Sequence, residues 1–281
     1  MRRNRSSQCL FGILAFLVAT LTVRAQTFPK PVASPTPAPS LEKEFFKNIL
    51  RDQKAIWTAP LHLERSDAKW LIPSSIGFMA LVTTDRITGD EMAEADRQVN
   101  ASRIVSYAGS VYGLAAAAGT FYLVGRSKHD ARARETGILS AEAMVDSVIV
   151  EGALKGITQR ARPADGVERS EFFDGGSSFP SGHSTQVWAV ATVVANEYQH
   201  NRAVQIAAYG IASAVSVARF TVHKHYISDV IAGSALGFGI GKYVYNAHHR
   251  DGSVSDSKWP MITPEYNRRA REYGVGLTWK F

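Results

Sequence analysis

The sequence predicts an all-α protein, a helical bundle with a short strand-like C-terminal tail. Apolar residues recur at helical spacing over residues 41–246, and this region has no alternating strand pattern and no internal repeat. The chain has 281 residues, of which 45% are hydrophobic, enough to bury the core of one domain. The tail differs because Val275, Leu277, Trp279 and Phe281 alternate with small or polar residues, which is the period of a strand.

The first 40 residues indicate export and a spacer. Three arginines precede an apolar run, Leu10 to Val23, and Ala25 offers a small residue for cleavage, so residues 1–25 are predicted to be a signal peptide. The run is short for a membrane anchor, which is the alternative. The proline-rich stretch 26–40 predicts an extended linker. We therefore expect an exported protein in the periplasm or cell envelope, with an inner-membrane location as the alternative.

The net charge argues against nucleic acid as a partner, and the cysteine content argues against disulfides and cysteine metal sites. The predicted signal holds four arginines and no acidic residue, so removing it takes the formal net charge from +7 to +3. A charge this small does not predict a nucleic-acid-binding protein. The chain has a single cysteine, Cys9, inside the predicted signal, so the mature protein is expected to have no disulfide and no cysteine metal site.

The folded domain is predicted over residues 41–250, with the tail over 251–281. Its first helix is amphipathic, because Leu41, Phe45 and Ile49 recur at helical spacing among charged residues. Further helices are predicted at about 69–83, 101–125, 130–160, 184–199, 203–219 and 226–246.

Composition favours a secreted, soluble bundle over a membrane-embedded one, which is the alternative. Residues 104–125 are uncharged and long enough to span a bilayer, but Ala, Gly, Ser and Tyr dominate them. Glu142, Asp146 and Glu151 on the next helix would be costly in hydrocarbon. The mean hydropathy of −0.10 agrees with the soluble alternative, while membrane association stays open.

The first motif, from Lys155 to Pro163, brings two long cations to a helix end. Lys155 lies near the end of a long helix, and Arg162 stands before Pro163, where the chain leaves helical geometry. Both could bind an oxyanion. The alternative is a surface lysine paired with Glu151 one turn earlier and a solvated arginine.

The second motif, Pro180 to His183, predicts a helix start at an anion site. It follows a small-residue loop and precedes an apolar helical run, so Ser181 and Gly182 lie where free backbone N–H groups favour an anion. Gly182 would let the backbone approach a ligand, and Ser181 could add a hydroxyl donor. The alternative is an ordinary helix cap with an exposed His183.

The third motif, from Arg219 to Asp229, combines a cation with a histidine and a carboxylate. His225 and Asp229 are four residues apart, so a helix would place both on one face. The carboxylate could then accept a hydrogen bond from one imidazole nitrogen and leave the other as a nucleophile. Arg219 could bind phosphate with two parallel hydrogen bonds. The alternative for the pair is a helix cap with an ion pair.

Together the motifs resemble the signature of the type-2 phosphatidic acid phosphatase and vanadium haloperoxidase superfamily: Lys-x6-Arg-Pro, Pro-Ser-Gly-His and Ser-Arg-x5-His-x3-Asp. The resemblance covers roughly residues 70–246, and three ordered motifs are more specific than one. It implies a helical bundle of the acid phosphatase and vanadium haloperoxidase type. Ala218 departs from the pattern, since it stands where the family usually has serine, and a tuned activity is expected.

The resemblance implies a role for each matched residue. His225 would attack phosphorus to form a phosphohistidine, Asp229 would hold and polarise that ring, and His183 would protonate the leaving oxygen and then activate water. Groups that would hold the equatorial oxygens are Lys155, Arg162, Arg219, Ser181 and Gly182. No metal or other cofactor is implied, although vanadate could occupy the phosphate site. His223 is expected to be peripheral. Arg160 is a candidate to support the site from behind, although a solvated side chain is the favoured alternative.

The expected function is an exported, metal-independent phosphatase for phosphomonoesters or pyrophosphate esters, with a small molecule or a lipid carrying the phosphate. One alternative is a vanadate-dependent haloperoxidase, and a second is a non-catalytic envelope protein with a residual phosphate pocket. The loops predicted around 60–68, 85–100 and 164–178 carry no pattern that selects a lipid, nucleotide or sugar phosphate.

Overall fold

The structure is a computed structural model. It describes residues 41–90, 102, 105–107, 109–163, 171–249, 261–267 and 272–278. The predicted signal peptide, the linker and Cys9 lie outside these residues. The chain divides into two compact units, the first reaching His248 and the second running from His249 to Phe281.

The first unit is a bundle of α-helices, which confirms the all-α prediction. In chain order the helices are α1 (Leu41–Thr58), α2 (Ala68–Asp90), α3 (Val111–Lys128), α4 (Ala131–Thr158), α5 (Gly182–Glu197), α6 (Arg202–Thr221) and α7 (Ile227–His248). Two short 3-10 turns, Ala59–His62 and Arg65–Asp67, connect α1 to α2. Side-chain caps start several helices: Asp130 Oδ1, for example, accepts from the N–H of Ala133 at 3.1 Å at the start of α4.

The second unit contains an antiparallel hairpin. Strand β1 (Met261–Asn267) pairs with β2 (Glu272–Thr278), so that Met261 lies opposite Thr278. The strand-like tail that the alternation predicted is confirmed in β2. The predicted strand also includes Trp279 and Phe281, which lie outside the described residues. The partner strand β1 was not predicted, because its sequence contains Pro264 and lacks a regular alternation.

Two helix boundaries differ from the prediction in ways that affect the site. The helix predicted over 101–125 is interrupted, since α3 begins at Val111 after a turn, with Ser110 accepting from the N–H of Gly113 at 3.2 Å. The helix predicted to end at residue 83 continues to Asp90. This extension places Asp85, predicted to lie in a loop, on a helix and fully buried.

Glycines bring α7 against the backbone of α5. A Cβ at Gly233 would lie 2.6 Å from the carbonyl oxygen of Ser181, and one at Gly237 would lie 2.0 Å from that of Thr185. Gly241 makes the same kind of approach, 2.3 Å, to the carbonyl oxygen of Ala189. Contacts this short exclude any side chain, so the glycine spacing sets the distance between the helices that carry the second and third motifs.

A buried polar layer lies between α1, α4 and α7. Asp52, Glu142 and Asp146 are fully buried, and Asn48 and His248 are nearly so. Burial first, and then the neighbouring Asp52, raises the pKa of Asp146 to about 8. The amphipathic pattern of α1 predicted its apolar face but not that Asn48 and Asp52 share it.

Large apolar side chains stay exposed on several helices. On α2 they include Trp70 and Ile76, at 71% and 65% exposure, and on α6 Ile206, at 73%. Among the described residues, Arg202–Thr221 is the one helix that is long and apolar enough to cross a membrane. The described part of the uncharged segment 104–125 does not form such a helix.

Candidate active site

The start of α5 lies against the start of α7. The N–H of Ser181, the residue that caps α5, donates to the carbonyl oxygen of Asp229 at 3.0 Å. The Ser181 side chain is fully buried, and its Oγ accepts a hydrogen bond from Ser184 Oγ at 3.1 Å. The backbone donors that this helix start can offer to an anion are therefore those from Gly182 onward. Ser181 fixes the position of that first turn.

His225 is held in one orientation and one tautomer. Its Nδ1 lies 2.7 Å from the carbonyl oxygen of Ser178. A carbonyl oxygen only accepts, so Nδ1 carries the hydrogen and Nε2 keeps its lone pair. Burial first, and then three nearby cations, hold the pKa of His225 well below its ordinary value, and the hydrogen bond to Ser178 opposes this. The cations are Arg219, Lys155 and Arg162.

Asp229 does not form the hydrogen bond to the ring of His225 that the i, i+4 spacing predicted. Its Oδ2 lies 3.9 Å from His225 Nδ1, beyond hydrogen-bond distance. That oxygen instead accepts from Ser178 Oγ at 2.5 Å and from the N–H of Tyr226 at 2.9 Å. The predicted direct hydrogen bond is therefore wrong, because the carbonyl of Ser178 takes the place of the carboxylate. Asp229 orients His225 indirectly, by fixing Ser178.

Arg160 is the largest correction to the sequence prediction. It was expected to be solvated, yet its side chain is fully buried and forms ion pairs with Asp229 at 2.6 Å and Asp85 at 2.8 Å. Its guanidinium also lies over the rings of Phe172 and Tyr226, at 4.8 and 4.4 Å from their centroids. Burial alone would lower the pKa of Arg160, but the two carboxylates hold it above its ordinary value.

Ser228 closes this network at the start of α7. Its Oγ accepts from Arg160 Nη1 at 2.7 Å and donates to Asp85 Oδ2 in a short hydrogen bond. Its N–H donates to Asp85 Oδ1 at 3.2 Å. Asp85 on α2 thus anchors the backbone that precedes Asp229, although the two residues lie far apart in sequence.

The three predicted cations converge on both histidines. Arg219, Lys155 and Arg162 each lower the pKa of His183 and of His225 by their charge. Arg219 also has a buried Nε with no hydrogen-bond acceptor among the described residues. A buried donor of this kind is costly unless a ligand satisfies it, and a phosphate oxygen is a suitable acceptor. Ala218, where the family usually has serine, is buried and has no side-chain hydroxyl to offer.

Glu151 lies at the anion site and was not predicted as part of it. Its Oε2 accepts from Lys155 Nζ at 2.9 Å and its Oε1 from Gln186 Nε2 at 3.2 Å. A Cβ at Gly182 would lie 2.2 Å from Glu151 Oε2, so the glycine makes room for this carboxylate. The ion pair that was the alternative for Lys155 is therefore present, at the start of α5 and close to both histidines.

His183 follows Gly182 in the first turn of α5 and is partly buried. Burial first, and then Arg219, Lys155 and Arg162, lowers its pKa to about 4. The ring is therefore neutral at pH 7 in the free protein. A bound phosphate would offset the cations and let this histidine take up a proton.

The structure brings the predicted histidines, cations and carboxylate to one place. It also buries Arg160 beside them and adds three buried residues to which the sequence assigned no role: Asp85, Ser178 and Ser228. A sequence signal existed for Asp85, which is the first acidic residue after a long apolar segment of α2. Ser178 and Ser228 carry no such signal, because each is one serine among several. His223, expected to be peripheral, has a left-handed backbone with φ of 53°.

Comparisons with known proteins agree with the motifs. A model of the PAP2 superfamily matches residues 137–253, which contain all three motifs. A lipid A 1-phosphatase of Porphyromonas gingivalis is 34% identical over 70 residues, 25% of this chain and 16% of the relative. A PA-phosphatase related-family protein of Dictyostelium discoideum is 27% identical over 170 residues, 53% of this chain and 61% of the relative.

The chain thus spans less than two thirds of the length of either relative. Among solved structures, the first transmembrane PAP2 type phosphatidylglycerolphosphate phosphatase from Bacillus subtilis aligns at 19% identity with a TM-score of 0.45, covering 75% of this chain and 98% of that one. The family model includes each matched motif residue from Lys155 to Asp229, and those residues meet at one site between α4, α5, α6 and α7. Residues 137–253, which carry the site, are thus similar to the PAP2 superfamily.

Proposed function

We propose that the protein is a phosphatase that hydrolyses a lipid phosphate ester through a phosphohistidine intermediate. The observation that carries the proposal is the convergence of three cations on two neutral histidines, His183 and His225, at a helix start. The cations would offset the charge of the phosphoryl group without requiring a metal ion. The names of the two curated relatives, a lipid A 1-phosphatase and a PA-phosphatase related protein, support a lipid phosphate as substrate.

The proposed reaction has two displacement steps. In the first, Nε2 of His225 attacks phosphorus, a P–N bond forms, and the P–O bond to the leaving group breaks as His183 gives that oxygen a proton. In the second, His183 takes a proton from water, the water oxygen attacks phosphorus, and the P–N bond breaks to release phosphate. A substrate that binds as a monoanion brings the proton that His183 lacks in the free protein.

The nucleophile is tested with His225→Ala and a soluble aryl phosphate in chelator-treated buffer. The variant should lose at least a thousandfold in kcat, and rapid quenching of the wild type should trap acid-labile, base-stable phosphate on the chain. His223→Asn is the matched control, because it removes a nearby histidine and tolerates the left-handed backbone there. Full activity in His225→Ala would overturn the assignment.

The lipid preference is tested separately. Phosphatidic acid in mixed micelles should show a kcat/KM at least tenfold above that of the aryl phosphate. Equal values for the two substrates would remove the lipid part of the proposal and leave the phosphatase in place.

Export and membrane association also belong to the proposal. The exposed apolar residues of α2 and α6 are suited to contact with a lipid surface, where a lipid substrate resides. In expressing cells we expect a mature N-terminus at Gln26 and recovery in the membrane fraction after a high-salt wash. Recovery in the soluble fraction without detergent would contradict membrane association, and an uncleaved N-terminus would contradict the signal peptide.

Vanadate should act on this site as an inhibitor. It mimics the five-coordinate phosphoryl group, so we expect competitive inhibition of hydrolysis in the wild type and weaker direct binding of vanadate to His225→Ala. Halide oxidation on adding vanadate and peroxide would instead favour the haloperoxidase alternative.

A further inference from the structure

A second cluster of ionisable side chains lies away from the phosphate site. Asp52 on α1, Glu142 on α4 and His248 at the end of α7 place one ligand atom each within 4.8 Å of one another. His248 follows Asp229 by nineteen residues on the same helix, roughly 28 Å at 1.5 Å per residue. The proposed phosphatase chemistry uses none of these side chains.

We propose that Asp52, Glu142 and His248 bind a divalent transition-metal ion that links α1, α4 and α7. The donors are an imidazole nitrogen and carboxylate oxygens, the set that zinc and manganese accept in proteins. Sites of this kind are built in bundle cores from side chains on facing helices.

The separations of the donors suit a single ion. His248 Nε2 lies 2.8 Å from both Asp52 Oδ1 and Asp52 Oδ2. Donors bound at about 2.0 to 2.2 Å around a tetrahedral zinc lie about 3.3 Å from each other, so small side-chain movements would open a site between them. Each of the three residues is buried, so bulk water does not compete with the ion for their donor atoms.

The buried polar layer between α1, α4 and α7 has carboxylate charges and oxygen atoms without a described hydrogen-bond donor, and both features favour a cation. Asp146 is fully buried against Asp52, and its Oδ2 has no hydrogen-bond donor among the described residues. Asn48 is 1% exposed, its Nδ2 donates to Glu142 Oε1 at 3.1 Å, and its Oδ1 has no described donor either. A cation held by Asp52 and Glu142 would offset the charge that these two carboxylates carry in a buried layer.

The ion would attach α1 to the rest of the bundle. Asp52 lies on α1, the first described helix, while Glu142 and His248 lie on core helices. Metal binding should therefore appear as added stability, since only the folded chain brings these ligands together.

The test uses the full chain, freed of metal with a chelator and then dialysed against Zn²⁺ or Mn²⁺. We expect one ion per chain by elemental analysis and a Tm that rises with metal and falls again with chelator. His248→Gln should weaken binding of the same ion at least tenfold, and His200→Gln, an exposed histidine, is the matched control that should bind as the wild type does.

Three results would overturn the proposal. The first is a wild-type chain that binds neither ion, and the second is an equal Tm shift in the wild type and His248→Gln. The third is a Tm that does not change with metal but rises in Asp146→Asn. That result would show that a proton shared between Asp52 and Asp146, and not a metal ion, stabilises these carboxylates. If His248→Gln fails to fold, Glu142→Gln replaces it, and the wild-type titration alone still decides between binding and no binding.

Discussion

Ser178 separates Asp229 from His225. Its carbonyl oxygen lies 2.7 Å from Nδ1 of His225, and its hydroxyl donates to Asp229 Oδ2 at 2.5 Å. The carboxylate is itself 3.9 Å from the ring nitrogen. The orienting group for the histidine is thus a backbone carbonyl whose position depends on a serine side chain.

Removing the Ser178 hydroxyl should lower kcat without changing KM. Ser178→Ala keeps the carbonyl that holds His225 but loses the bond that fixes it, so we expect about a tenfold loss, within the range for groups that orient an active residue. Asp229→Asn should cost more, because Asp229 also pairs with Arg160. Steady-state kinetics on an aryl phosphate measures both variants.

Combining Ser178→Ala with Asp229→Asn shows whether Asp229 acts on His225 through Ser178 or independently of it. If Asp229 acts through Ser178, the losses in the double variant should be smaller than the product of the single losses. Ser127→Ala, an exposed serine on α3, controls for nonspecific effects. Fully multiplicative losses would contradict the relay.

Replacing Arg160 with lysine should destabilise the protein. A lysine cannot reach Asp85, Asp229 and Ser228 at once, so at least one buried carboxylate loses its ion pair. Breaking a buried ion pair costs about 3 to 5 kcal/mol in the free energy of unfolding, which urea denaturation would measure. Arg202→Lys, an exposed arginine at the start of α6, should leave that free energy unchanged. An unaltered stability in Arg160→Lys would show that the network is not needed for folding.

The helices were predicted well because apolar spacing is a local pattern, and the motif residues that the structure brings together could be picked out for the same reason. Helical spacing of apolar residues predicted each helix from α1 to α7, and the three motifs predicted the groups that converge at the start of α5. The break before α3 was missed, because Gly109 and Ser110 also fit within a continuous helix. At this break the segment packs tightly against α6, since a Cβ at Gly109 would lie 2.3 Å from Val215 Cγ1.

The contacts of the supporting network could not be predicted, because they join residues that are distant in sequence. Arg160 and Asp85 are separated by 75 residues, and their ion pair depends on how α2 packs against the segment that follows α4. A buried arginine looks like a solvated one in a sequence, since only the surrounding packing distinguishes them. The i, i+4 spacing of His225 and Asp229 was misleading for a related reason: α7 begins at Ile227, so His225 precedes the helix.

Neutralising Glu151 should strengthen phosphate binding. Its carboxylate lies beside Gly182 at the start of α5 and holds Lys155 at 2.9 Å, so it competes with the substrate for both the lysine and the helix start. We expect Glu151→Gln to lower the inhibition constant of inorganic phosphate several-fold. Glu135→Gln, on the same helix and outside the site, is the matched control. A higher inhibition constant in Glu151→Gln would show that Glu151 instead positions Lys155 for the substrate.

The low pKa of His183 should appear in both titration and stability. Its imidazole signals in an NMR titration should shift near pH 4 in the free protein and at higher pH when phosphate is bound, because the anion offsets Arg219, Lys155 and Arg162. The unfolded chain takes up this proton near pH 6.5 and the folded chain near pH 4, so the histidine contributes stability above pH 6.5 that is lost as the pH falls toward 4.

His183→Gln tests that dependence by removing the titrating group. Its urea midpoint should fall less between pH 7 and pH 4.5 than that of the wild type, since glutamine takes up no proton in either state. His200→Gln, which removes an exposed histidine, is the matched control and should retain the wild-type dependence. If His183 titrates near 6.5 with and without phosphate, the three cations do not act on it, and the convergence that supports the proposed chemistry fails.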